Sequence, residues 1–142
     1  MDEHLLSAGA ASDLVRIHKD RIDIYLQLLR ASNDIELDVK AIVERMIEES
    51  MAYKQQLKNA IPAMTKEPGE IYKSWDDTKR SLRHTDKKTI IAICANDELV
   101  ITNTYSLALA LVTEPVIKKL LTDQQQGLKK LYAHIQHYHD AQ

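Results

Sequence analysis

Apolar residues return every third or fourth position through four long stretches of this chain, and almost nothing interrupts them. Only three Gly and three Pro occur in 142 residues, and Phe is absent. A spacing of three and four lines up side chains on one face of an α-helix. A sheet fold needs many tight turns, and this chain is starved of turn residues. The pattern predicts an all-α protein. Its length lies within the usual one-domain range, so one core over residues 1–142 is expected.

The first stripe is Leu14, His18, Arg21, Tyr25 and Leu28, flanked by Val15, Ile22 and Leu29. It predicts a helix from residue 10 to 12 up to about 31, with residues 1–11 disordered or frayed. Ser32 or Asn33 can cap the next helix, with Glu36 in a capping-box position. That helix, over 33–60, carries the seam Val39, Val43, Met46, Ser50, Tyr53 and Leu57. So short a link makes the two helices antiparallel neighbours.

Residues 62–68, PAMTKEP, form a connector, and Pro68 can open a shorter helix with Ile71, Trp75 and Leu82 on one face. Thr85 or Asp86 would cap a helix over 86–111, with the seam Ile90, Cys94, Asp97, Ile101, Thr104, Ala108 and Leu111. Pro115 restarts the chain. The last helix, over 115–138, turns Ile117, Leu121, Gln124, Leu128, Leu131, Ile135 and Tyr138 inward. Two antiparallel helical hairpins joined by a long connection predict a ferritin-like four-helix bundle with a short crossover helix between helices two and three.

Three segments carry a family resemblance. They are Gly69 to Leu82 around Trp75, then DKKTIIAICANDELVITNTYSLAL, then QQQGLKKLYAHI with Gly127 inside the last helix. With these the chain resembles the ferritin-like family called domain of unknown function 2383, from about Ser12 to Gln136. The resemblance implies a ferritin-like bundle. Where it suggests an acid in the first helix after an Asp-Gly pair, this chain reads Asp20-Arg21-Ile22-Asp23, and Tyr132 stands where relatives carry a histidine.

Iron chemistry in such a bundle needs a Glu from each of two helices and a Glu-x-x-His from each of the other two, because i and i+3 present both ligands to one metal. None of the four long helices offers that pair. Glu48 and Glu49 are followed at i+3 by Met51 and Ala52, Glu98 by Ile101, and Gln124 by Gly127. No metal ligand set, cofactor motif or catalytic residue is assigned from the sequence. Cys94 has no His nearby and sits among apolar residues as an inert thiol. There is no Gly-x-Ser-x-Gly elbow and no Gly-rich phosphate loop.

Four polar residues nevertheless interrupt the seams, one from each long helix: His18, Ser50, Asp97 and Gln124. They predict a polar layer whose members hydrogen-bond one another or a buried water and fix helix register. A His–Asp metal or small-ligand site is a second reading, and a misjudged helical phase a third. Glu49 and Glu98 flank the seams and could extend such a site, although flanking glutamates are usually solvated. His134, His137 and His139 near the C-terminus are read as a solvated tail, since their spacing suits no single metal site.

Nineteen Lys and Arg against 21 Asp and Glu are spread evenly along the chain. Nucleic acid is not expected as a partner, because phosphate binding needs clustered positive charge. Nor is a membrane: no run approaches 18 apolar residues, and the acidic start does not resemble a secretory signal. The expected setting is the cytoplasm. Two function classes follow. The preferred one is a non-enzymatic bundle acting through its surface, as a homo-oligomer or with a protein partner, with Tyr53, Tyr72 and Trp75 as candidate contact residues, Trp75 equally suited to plugging the bundle end. The other is a metal-binding ferritin-like oxidoreductase or storage protein with a degenerate carboxylate/histidine site.

Overall fold

The computed structural model describes residues 3–31, 34–82 and 89–141. They form α1 (Glu3–Ala31), α2 (Leu37–Ala60), α3 (Glu70–Leu82), α4 (Ile90–Leu111) and α5 (Pro115–Asp140). No strand occurs among the described residues. The protein is all-α, as the periodicity requires.

Helix α1 reaches back to Glu3 instead of starting at residue 10 to 12, and side-chain contacts explain why. Its small polar residues hold the loops that cross it. Ser7 Oγ accepts from the backbone N–H groups of Thr113 and Glu114, both at 3.4 Å, where α5 begins. Ser12 Oγ accepts from Thr65 N–H at 3.1 Å. The Asp13 carboxylate accepts from Gly69 N–H at 2.9 Å and Tyr72 N–H at 3.2 Å. Asp13 thus caps α3 from another helix and puts a negative charge at the positive end of its dipole. A Cβ on Gly69 would come within 2.8 Å of Asp13 Oδ2, so any larger residue would push the capping carboxylate aside.

Two other helix starts also differ from expectation. Helix α2 begins at Leu37, with Glu36 as an N-cap whose side chain makes no capping bond. Helix α4 begins at Ile90, capped by Thr89 Oγ1, which accepts from Ala92 N–H at 3.3 Å. Ser32, Asn33, Thr85, Asp86 and the side chain of Leu82 lie outside the described residues.

Helix α1 packs along α2, α4 along α5, α1 against α4 and α2 against α5, while α3 lies on α1 and α4. Residue pairs set the directions. Ser7 meets Thr113, His18 meets Tyr105 and Arg21 meets Asp97, so α1 and α4 are antiparallel. Gln124 reaches Tyr53 while Tyr138 reaches Glu36, so α2 and α5 are antiparallel as well. Two apolar clusters fill the interior. One gathers Leu14, Leu57, Trp75, Ile101, Leu121 and Leu128; the other gathers Val43, Met46, Cys94, Leu131 and Ile135. Leu111, expected on the inner seam, is 40% exposed, and Val112 beside it is buried in its place.

Candidate functional site

Between the two apolar clusters lies a band of buried and half-buried polar groups drawn from all four long helices. His18 and Arg21 come from α1, Glu49 and Ser50 from α2, Asp97 and Glu98 from α4, and Gln124 from α5. Arg21 is central. Its guanidinium is fully buried, and every nitrogen has an acceptor. Nε donates to Asp97 Oδ2 at 3.1 Å, Nη1 to Ser50 Oγ at 2.8 Å, and Nη2 to Glu98 Oε1 at 2.9 Å and more weakly to Tyr25 OH at 3.4 Å. Tyr25 OH donates in turn to Asp97 Oδ2.

Burial alone would lower the pKa of Arg21, but the charges of Glu98, Asp97 and Glu49 override it and raise the value. The guanidinium stays charged. Burial pushes the carboxyl of Glu49 up to about 8, and the nearby Glu98 adds to the shift. Burial also raises Glu98 and Asp97, against the pull of Arg21. Glu49 and Glu98 are close enough to influence each other's protonation. Glu49 Oε1 and Glu98 Oε2 are buried and meet no hydrogen-bond partner, and Glu49, held at about 8, keeps its proton at neutral pH. Glu98 faces Arg21 at 2.9 Å, and that charge opposes the rise.

A second chain of bonds starts at Ser50, and the donor roles fix its direction. Tyr105 OH donates to Gln124 Oε1 at 2.6 Å, so it accepts from His18 Nε2–H at 2.8 Å. His18 Nδ1 is then bare and accepts from Ser50 Oγ–H at 3.0 Å. Ser50 in turn accepts from Arg21. Gln124 Nε2 completes the path by donating to the Tyr53 carbonyl at 3.2 Å and Gln56 Oε1 at 3.1 Å. His18 is a neutral imidazole. Burial first, then Arg21 and Lys54, holds its pKa well below the usual histidine range.

The ring of His18 also packs edge-on against Tyr53 and Tyr105, with centroids 5.9 and 6.0 Å away. Tyr53 needs room for this. A Cβ on Gly127 would lie 1.8 Å from Tyr53 OH, so the glycine in the middle of α5 is a notch for that hydroxyl.

Of the four residues expected in a polar layer, His18, Ser50 and Gln124 share one hydrogen-bond path, whereas Asp97 bonds Arg21 and Tyr25. No His18–Asp97 pair forms. Glu98, read as a solvated flank, is fully buried, and Glu49 is largely so. Trp75 is completely buried, which removes it from any contact surface, while Lys79 Nζ lies 4.7 Å from its ring centroid. Tyr72 is half-buried and donates to Asp20 Oδ2 at 2.5 Å. Cys94 is a buried thiol whose pKa burial pushes up to about 12.

Sequence reasoning missed Arg21, although the signal was present: an arginine occupies an apolar stripe one turn from His18, and α4 offers two adjacent acids. Among the described residues no group of three or more His, Cys, Asp and Glu is arranged to hold a metal ion. Comparison of the chain with family models, curated proteins and solved structures gave no match.

Proposed function

We propose that this chain is a ferritin-like helical bundle that works through its surface, as a structural or interaction protein, with an internal ion cluster at the level where a metal centre would sit. The observation that carries this reading is the position of Arg21. Its guanidinium supplies, from within the chain, the positive charge and the donors that converging carboxylates would otherwise take from a cation. A metal at that level would have to displace a fully buried arginine. The helix directions, and α3 lying against α1 and α4, support the ferritin-like arrangement with a crossover helix.

Reduced Cys94 suits the cytoplasm, and no helix among the described residues is long and apolar enough to cross a membrane. One feature favours the other reading, a degenerate metal site: Glu49 Oε1 and Glu98 Oε2 are both buried without a hydrogen-bond partner. Elemental analysis of untagged protein, followed by aerobic addition of ferrous iron, separates the two. No stoichiometric metal and no oxidation above buffer are expected. Stoichiometric iron, manganese or zinc, or saturable oxidation lost in Glu98→Ala, would overturn the proposal.

A further inference from the structure

We draw no further inference here: the strongest candidate, the open cavity between the starts of α2 and α4 and the end of α5, lined by Ile35, Val39, Ile90, Ile91 and His139, carries nothing because nothing in the structure shows what occupies it.

Discussion

His18 and Arg21 stand one turn apart on α1, both fully buried, and the protein treats them in opposite ways. Arg21 is kept charged by two carboxylates and donates from all three nitrogens. His18 is kept neutral by burial and by that same arginine, and takes one bond in and gives one out. Ser50 joins the two, accepting from the cation and donating to the imidazole. A buried charge is tolerable when its counter-ions come from a facing helix, whereas a buried titratable group without a counter-ion survives only in its neutral form.

The largest effect is expected from breaking the charged side of that contrast. Arg21→Met should cost about 3–5 kcal/mol in urea denaturation, because it strands Asp97 and Glu98 without a cation. Adding Asp97→Asn and Glu98→Gln to that chain should recover much of the loss, since the paired groups then vanish together. If Arg21→Met cost no more than an ordinary surface change, the guanidinium would not occupy the centre of the interior.

Next in size comes the packing beneath His18. Gly127→Ala improves helix propensity by roughly 1 kcal/mol, yet it drives a methyl into Tyr53 OH. Overpacking of this kind costs about 1–3 kcal/mol, so Gly127→Ala should be net neutral to destabilising and should move Tyr53 off His18. A clear rise in melting temperature would place Tyr53 elsewhere. His18→Leu should be milder than Arg21→Met. It removes an acceptor from Ser50 and a donor from Tyr105, worth about 1–3 kcal/mol in total, while Leu suits the seam in size and polarity.

The two halves of the polar band also bend stability with pH in opposite directions. Below the unfolded value of 6.5 the unfolded chain takes up a proton that native His18 refuses, so stability present above 6.5 is lost as pH falls. The Glu49–Glu98 pair acts the other way. Native Glu49 keeps its proton up to about 8, while an unfolded glutamate releases it near 4.5, so stability falls as pH rises between those values. His18→Leu should flatten the acid limb alone, and Glu49→Gln the neutral limb alone. Unchanged pH profiles in both variants would show that neither group is buried as described.

Helix periodicity gave away the elements of this fold because each long helix has one inward stripe, and turn residues are so few that no other fold competes. Helix starts were harder. The early start of α1 depends on contacts from distant residues, with Ser7 bonded to Thr113 and Glu114 and Ser12 to Thr65. A local capping pattern cannot report those. The polar band was legible at His18, Ser50 and Gln124 because each interrupts an apolar seam. Arg21, although on the stripe, and Glu98 beside its seam were passed over, because a long charged side chain in either place normally reaches water. Only the facing helix shows that these two reach each other instead. Leu111 and Trp75 show the same limit: pattern placed each near the surface or the core, and the neighbouring helices decided which.

The most direct test of a guanidinium-centred interior is a crystal structure of the protein grown with excess manganese, with anomalous data collected near the manganese edge. Planar guanidinium density bonded to Asp97, Ser50 and Glu98 is expected, with no anomalous peak between the helices. An anomalous peak bridging Glu49 and Glu98, with Arg21 turned away from them, would contradict it.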